Sequence, residues 1–173
     1  MRQLMLLRHA KAVPQGRMAD EERPLAERGR RDLPVVAQFA ASRGLTPDLA
    51  LVSPSQRTRE TWELFAAALR VPPPHRLEPR LYSAPAERIL EVVRVTPETV
   101  QTLLLIGHNP GFEDAARTLI GAGETDALIR FGGSMPTSSL ALIELAGDWA
   151  TIEPRAGRLE LFVTPKSLGS EAD

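Results

Sequence analysis

The chain has 173 residues, of which 43% are hydrophobic and 25% charged, a balance typical of one globular domain and not of a disordered chain. Its net charge of -1 provides no excess of lysine and arginine to follow a nucleic-acid backbone, so we expect no nucleic-acid partner. Cysteine is absent, which excludes disulfides, thiolate nucleophiles and cysteine metal sites and is consistent with a cytoplasmic protein. The chain opens with an apolar run that is too short for a signal peptide, and no later stretch reaches the length of a membrane span, so we expect no membrane partner.

The first predicted strand and helix lie at the start of the chain. Residues 4–7 are continuously apolar, which is typical of a strand buried on both faces of a parallel sheet. Residues 25–43 place apolar side chains on one face and predict a helix that Gly44 closes. Because Pro34 removes a backbone donor inside this helix, we expect either a kink there or a helix that restarts near Asp32, a suitable N-cap.

A second strand and helix follow. Residues 49–52 form another short apolar run and predict a buried strand. Ser53 is expected to cap the next helix, with Pro54 in its first turn, and the helix is expected to run to about residue 69. Three prolines end it, and residues 76–78 are predicted to form a short edge strand.

The second half of the chain predicts, in order, a helix, a very apolar strand, another helix and three strands, at residues 85–94, 102–106, 112–120, 138–145, 151–153 and 159–163. Gly147 and Asp148 suggest a hairpin between the first two of these later strands, and the third is expected at a sheet edge. The alternation of strands and helices predicts an α/β fold, a three-layer α/β/α sandwich with a mostly parallel central sheet. We expect one domain over residues 1–165 and a flexible tail over 166–173.

Two histidines each follow a buried strand directly, and both have arginines close by. In an open parallel sheet, ligands bind at the carboxyl ends of the strands, so His9 and His108 are expected to converge at one sheet edge. Arg8 adjoins the first histidine, and Arg57 lies near the start of the helix after the second strand. Arginine forks suit phosphate oxygens, and helix N-termini nearby add positive potential, so these four side chains predict a phosphate site. The third histidine, His75, follows three prolines and is predicted to be a surface residue.

Three separated motifs, together with smaller flanking segments, carry a family resemblance. The motifs are Arg8-His9 after the first strand, Ser53-Pro54-Ser55-Gln56-Arg57-Thr58 in the middle of the chain, and Gly107-His108-Asn109-Pro110 after the apolar strand. The flanking segments are Arg23-Pro24-Leu25-Ala26-Glu27-Arg28-Gly29, Leu81-Tyr82-Ser83-Ala84 and Pro136-Thr137. Together they resemble the histidine phosphatase superfamily, the phosphoglycerate-mutase-like fold group, and within it the SixA-like phosphohistidine phosphatases. The resemblance extends over nearly the whole chain.

The resemblance implies a metal-independent phosphatase without an organic cofactor. His9 would be the nucleophile that takes the phosphate, Arg8, Arg57 and His108 would bind the phosphoryl oxygens, and water would then hydrolyse the phosphohistidine. The implied partner is a phosphorylated protein, through its phosphohistidine, or a small phosphorylated molecule. Two alternatives stay open: a small-metabolite phosphomonoesterase, and a phosphate- or phosphoprotein-binding module without turnover.

Relatives that hydrolyse alkyl phosphates use a carboxylic acid to protonate the leaving oxygen, and no clear match for it occurs here. Glu78 and Glu87 lie in the corresponding region, but neither belongs to a recognisable motif. A general acid contributes roughly 10²–10⁴-fold to the rate, and a poor leaving group needs it more than imidazole does. The sequence therefore favours a phosphoramidate substrate or an activated ester.

Several basic residues near the first motif have two readings. Lys11 either reaches the substrate phosphate or faces solvent. Arg17, Arg23 and Arg28 either pair with the acidic run at residues 20–22 or form a rim that faces the substrate.

Overall fold

A computed structural model describes residues 1–170 as a seven-stranded sheet with helices on both faces. The strands are β1 (Arg2–Arg8), β2 (Leu49–Val52), β3 (His75–Leu77), β4 (Thr102–Gly107), β5 (Ile120–Gly123), β6 (Leu140–Leu145) and β7 (Gly157–Val163). The helices are α1 (Glu27–Ser42), α2 (Gln56–Ala67), α3 (Ala86–Arg94), α4 (Gly111–Leu119) and α5 (Thr125–Phe131). The strand order is β3-β2-β4-β1-β6-β7-β5, and only the pairs β1–β6 and β6–β7 are antiparallel. The predicted α/β class with a mostly parallel sheet is confirmed.

Strand β1 lies in the middle of the sheet and presents its two faces to two helical layers. Leu4 and Leu6 share a core cluster with side chains of α3 and α4, whereas Met5 and Leu7 share another with side chains of α1 and α2. All four are fully buried. Because successive side chains of a strand point to opposite faces, a strand covered on both sides is apolar throughout.

Helix α1 continues through Pro34, so the predicted restart near Asp32 is wrong. The carboxylate of Asp32 is used elsewhere: it accepts hydrogen bonds from Nε of Arg28 at 3.3 Å and from Oγ of Ser170 at 2.7 Å. Gly44, at a φ of +70°, follows the end of the helix in the left-handed conformation that glycine adopts easily.

Helix α2 begins at Gln56 and not at Ser53, so the predicted cap is wrong by two residues. Ser55 is the cap, and its hydroxyl accepts the backbone N–H of Thr58 at 3.4 Å. Ser53 still belongs to the sheet, since its backbone N–H donates to the carbonyl of Ile106 at 3.0 Å. Helix α2 therefore starts only after the chain has left the sheet. The buried hydroxyl of Ser53 does not cap the helix and can bond to another group.

The last third of the sheet differs most from the prediction. The elements β5 and α5 were not predicted, and residues 151–153, predicted as a strand, do not form one. Instead, a 3-10 turn at Trp149–Thr151 is fixed by the buried indole, whose Nε1–H donates to the carbonyl of Val100 at 2.7 Å. The strand that follows β6 along the chain and pairs antiparallel with it is β7, which lies between β6 and β5 and not at the edge.

The C-terminal segment packs back on the domain as far as the structure describes it. Lys166–Leu168 form a 3-10 turn, and Ser170 is held by Asp32. The last part of the predicted tail, residues 171–173, lies outside the described residues. Within residues 1–170, no helix combines the length and the apolar character needed to cross a membrane.

Candidate active site

The neighbouring parallel strands β1 and β4 bring His9 and His108 together. Arg8, the last residue of β1, is in register with Gly107, the last residue of β4. The backbone N–H of His9 continues the ladder and donates to the carbonyl of Gly107 at 3.1 Å. As a result, the centroids of the two imidazole rings lie 5.4 Å apart, with the ring planes tilted by 59°.

Both rings line a cleft of about 240 Å³ whose wall is basic or neutral. Its lining residues are Arg8, His9, Lys11, Ala12, Arg23, Arg57, His108, Asn109 and Thr137. The four site residues predicted from the sequence thus lie on one wall. Within the described chain, no Asp or Glu lines this cleft. Such a surface suits an anion.

His9 is held as a neutral ring with a defined tautomer. Burial is the main reason that its pKa falls from the ordinary 6.5 to about 3, and the surrounding positive groups lower it further. Its Nδ1 lies 2.7 Å from the carbonyl oxygen of Ala10. Because a carbonyl oxygen only accepts hydrogen bonds, we assign the ring proton to Nδ1. Nε2 then carries the free lone pair, and such a nitrogen can act as a nucleophile.

His108 is held from two sides in the other tautomer. Its Nδ1 lies 3.3 Å from Nη2 of Arg57, and its Nε2 lies 2.7 Å from Oγ of Ser53. Arginine only donates, so Nδ1 is the acceptor and the proton is on Nε2, from which it is donated to Ser53. Burial, followed by the charge of Arg57, lowers the pKa of His108 to about 4. The ring of Tyr82 packs edge-on against it at 5.5 Å between centroids.

Arg8, which is half-buried, and Arg57, which is buried, supply positive charge. Nη1 of Arg8 donates to the carbonyl of Met135 at 3.0 Å, and burial lowers the pKa of this arginine, although the side chain stays protonated at neutral pH. Arg57 is only 5% exposed. In residues 1–170, the buried Nε–H groups of both arginines have no hydrogen-bond partner. Both side chains also line the cleft, and guanidinium groups suit an anionic acceptor.

One contact of this site was not predicted from the sequence. Asp20, in the 3-10 turn Asp20–Glu22 of the loop after β1, accepts hydrogen bonds from Arg57 and from Tyr82. Nothing in the sequence distinguishes this carboxylate from its neighbours Glu21 and Glu22, because a run of three acidic residues in a polar loop is typical of a solvated surface.

The basic residues near the first motif, for which both a substrate-facing and a solvent-facing or ion-paired role were considered, differ from one another in the structure. Lys11 is exposed and lines the cleft. Arg23 both lines the cleft and forms an ion pair with Asp20 at 3.0 Å. Arg28 pairs within α1 instead, and Arg17 is exposed in the loop.

Neither carboxylate considered as a general acid lies on the cleft wall. Glu78 is buried and bound by Arg80, whose Nη2 lies 2.8 Å from Oε1, and this hydrogen bond is the main reason that the pKa of Glu78 is lowered. Glu87 is exposed on α3. Among residues 1–170, no group of three or more His, Asp or Glu side chains is arranged to hold a metal ion.

Comparisons with known proteins place these features in context. A family model described as the histidine phosphatase superfamily (branch 1) matches residues 4–84. An uncharacterized protein of Mycobacterium tuberculosis is 33% identical over 162 residues, which span 92% of this chain and all of that protein. The crystal structure of a protein from Agrobacterium tumefaciens, assigned as the phosphohistidine phosphatase SixA, matches with a TM-score of 0.80 and 30% identity over 95% of this chain and 98% of that one. A structure of the protein histidine phosphatase SixA with tungstate has a TM-score of 0.78 over 96% of this chain and 99% of that one, and at 24% identity it shows the same fold.

Proposed function

The chain belongs to the histidine phosphatase superfamily, and we propose that it is a SixA-like phosphatase that carries the phosphoryl group on His9 during turnover. The observation that carries the proposal is the state of this histidine. Its ring is neutral, its Nδ1–H is committed to the carbonyl of Ala10, and the remaining nitrogen belongs to a ring that lines a basic cleft. These are the properties of a nitrogen nucleophile for a phosphoryl group.

In the first step, Nε2 of His9 attacks phosphorus. A new P–N bond forms, the bond from phosphorus to the leaving nitrogen or oxygen breaks, and the leaving group takes a proton from solvent. Arg8 and Arg57, which both line the cleft, bind the phosphoryl oxygens through their guanidinium groups and neutralise the charge on them. Positioning and charge neutralisation are the main requirements of phosphoryl transfer, and arginines supply both.

His108 contributes to binding once it is protonated. Its pKa of about 4 reflects burial and the neighbouring Arg57. A phosphoryl dianion in the cleft favours the imidazolium, because an opposite charge stabilises the charged form of a titrating group. Its Nδ1–H then donates to a phosphoryl oxygen. In the second step water attacks phosphorus, the P–N bond to His9 breaks, phosphate leaves with the protons of the water, and Nε2 regains its lone pair.

Protein phosphohistidine is the substrate class that this cleft supports best. No carboxylate of the described chain lines the cleft, so no carboxylic acid there is placed to protonate an alkoxide. Imidazole leaves from phosphorus with less help than an alkoxide needs. A second cleft, of about 290 Å³, shares His108 and Asn109 with the first and is otherwise lined by Ser83, Ala84, Pro85 and Pro110, which are uncharged. A neutral ring on a protein surface suits this extension better than a charged metabolite.

The test is quench-flow trapping of the phosphoenzyme with a phosphohistidine protein and with para-nitrophenyl phosphate. Wild type, His9→Ala and His75→Ala are compared. His75 is the matched control, because it is exposed on β3 and packs on Trp62, outside the cleft. We expect acid-labile, base-stable phosphate on wild type and on His75→Ala, no label on His9→Ala, and faster turnover of the phosphohistidine protein.

Two other outcomes would redirect the proposal. Label on His9 with faster turnover of small phosphate esters would indicate a phosphomonoesterase of metabolites. Phosphate binding without label or turnover with either substrate would contradict an enzyme and indicate a phosphoprotein-binding module.

A further inference from the structure

The loop after β1 brings the carboxylate of Asp20 against Arg57, which lines the phosphate cleft. The backbone carbonyl of Asp20 accepts Nη1–H of Arg57 at 2.8 Å, and its Oδ2 accepts Nη2–H of the same guanidinium at 3.0 Å. The side chain of Arg57 is 7% exposed and that of Asp20 is 37% exposed, so the pair is only partly screened by solvent. One residue thus binds both terminal nitrogens of the arginine that the proposed mechanism uses.

The same carboxylate is held by two further donors. The hydroxyl of Tyr82 donates to Oδ2 of Asp20 at 2.6 Å, and Nε of Arg23 donates to Oδ1 at 3.0 Å. The hydrogen bond from Tyr82 is the main reason that the pKa of Asp20 lies well below its usual range, and the two arginines lower it as well. Asp20 is therefore ionised at neutral pH and has no proton to give to a leaving group.

The donors of Arg57 are used unequally. Nη1 and Nη2 are bonded to Asp20, and Nη2 also contacts Nδ1 of His108. Nε, by contrast, is buried and without a partner in the described part of the chain. A planar guanidinium fixed at its far end cannot rotate, so the direction of Nε–H is fixed as well.

We propose that Asp20 is a positioning residue of the phosphoryl site, which orients Arg57 and Arg23 and is itself oriented by Tyr82. This inference rests on the proposed phosphatase function. Asp20 acts through the arginines and does not touch the substrate. Its negative charge also opposes the positive charges of the cleft, so it weakens the binding of free phosphate while it improves the geometry of transfer. Removing it should therefore change binding and chemistry in opposite directions.

The experiment compares Asp20→Asn with Glu22→Gln, an identical loss of charge at an exposed residue of the same turn. Titration calorimetry gives the dissociation constant for inorganic phosphate, and steady-state kinetics with a phosphohistidine protein give kcat. For Asp20→Asn we expect kcat to fall by up to about 10²-fold, the scale of a misplaced catalytic group, while phosphate binds as tightly as to wild type or more tightly. Glu22→Gln should change neither. Tyr82→Phe should also lower kcat, but by a smaller factor than Asp20→Asn does.

Two results would overturn the inference. One is a kcat of Asp20→Asn equal to that of wild type, and the other is a parallel loss of kcat and phosphate affinity, which indicates damage to the loop as a whole. If Asp20→Asn does not fold, Tyr82→Phe decides by the same criteria. NMR of the Arg57 guanidinium separates this inference from the proposed function, because it needs no turnover. Even if the wild-type protein proves to have no phosphatase activity, rotation about the Nε–Cζ bond of Arg57 should be faster in Asp20→Asn than in wild type. An unchanged rotation rate would contradict the positioning role.

Discussion

His9 and His108 hold their ring protons on opposite nitrogens, although their rings lie only 5.4 Å apart. The proton of His9 is on Nδ1, where the carbonyl of Ala10 accepts it, and that of His108 is on Nε2, where Ser53 accepts it. One ring therefore presents a lone pair from Nε2, and the other presents a lone pair from Nδ1. The first can attack phosphorus, and the second can take up a proton when an anion arrives.

This assignment predicts the nitrogen spectrum of the two rings. In long-range ¹H–¹⁵N spectra at pH 7 without phosphate, His9 should show the Nδ1–H tautomer and His108 the Nε2–H tautomer. Because burial lowers the pKa values of the two residues to about 3 and about 4, both patterns should persist down to pH 5. A spectrum of averaged or imidazolium rings at pH 6 would contradict the assignment.

The same pKa shifts predict how stability depends on pH. Both histidines have lower pKa values in the folded chain than the 6.5 of an unfolded one, so below about pH 6.5 the unfolded chain binds more protons. The free energy of unfolding should therefore decrease as the pH falls from 6.5 to 5, with a slope that approaches about 1.4 kcal/mol per pH unit for each histidine at the lower end. Urea unfolding of wild type and His9→Gln checks this. The slope of the variant should be smaller by one proton, and equal slopes would show that His9 does not contribute.

Two serines, two positions apart, should respond differently to alanine. Ser53→Ala leaves the buried Nε2–H of His108 without an acceptor, which should cost about 1–3 kcal/mol of stability and reduce kcat/KM. Ser55→Ala removes the cap of α2, which should cost about 1 kcal/mol with little effect on kcat/KM. Urea unfolding and kinetics measure both. Equal kcat/KM in the two variants would contradict a role of Ser53 in holding the ring.

Gly29 should not tolerate a side chain. A Cβ there would lie 2.2 Å from the carbonyl oxygen of Lys11, two residues after His9, so backbone must move. We expect Gly29→Ala to lose about 1–3 kcal/mol of stability and to slow phosphorylation of His9. Gly16→Ala is the matched control, because a Cβ at that loop position would have no atom within 4 Å among the described residues. Unfolding curves that coincide for the two variants would show that α1 moves away from the backbone at Lys11 at little cost.

Neither carboxylate considered as a general acid should matter for the chemical step. Loss of a true general acid would lower the rate roughly 10²–10⁴-fold. We expect Glu87→Gln, exposed on α3, and Glu78→Gln, bound to Arg80 in wild type, to show no loss of that size with para-nitrophenyl phosphate. A loss in that range for either variant would place its carboxylate in the transition state.

The positions of the two histidines could be predicted because buried parallel strands leave a strong signal. The predicted runs at residues 4–7 and 102–106 are apolar and lie just before His9 and His108, and the geometry of a parallel sheet brings such strand ends together. The motif around Arg57 made it possible to assign this arginine to the same site. The local sequence pattern was sufficient to predict a strand wherever burial of both faces of that strand required apolar residues.

Where the prediction was wrong, contacts distant in sequence decided the outcome. The residues Ile120–Gly123 form a strand although two of the four are glycines, because β7 offers a free edge beside them. Trp149 turns the chain away from the expected hairpin because its indole reaches a carbonyl before β4. The contact of Asp20 with Arg57 spans 37 residues of sequence, and no local pattern specifies it.

The in-register pair formed by Arg8 and Gly107 has a consequence for how this protein can change over evolutionary time. The spacing of the two imidazoles is set by main-chain hydrogen bonds, so it does not depend on the identity of most neighbouring side chains. A one-residue slip of β1 would turn its side chains to the opposite face and remove His9 from the cleft. Insertions within the loop at residues 13–19 would leave the pair intact. Changes in the length of this loop can therefore accumulate without altering the distance between the two rings.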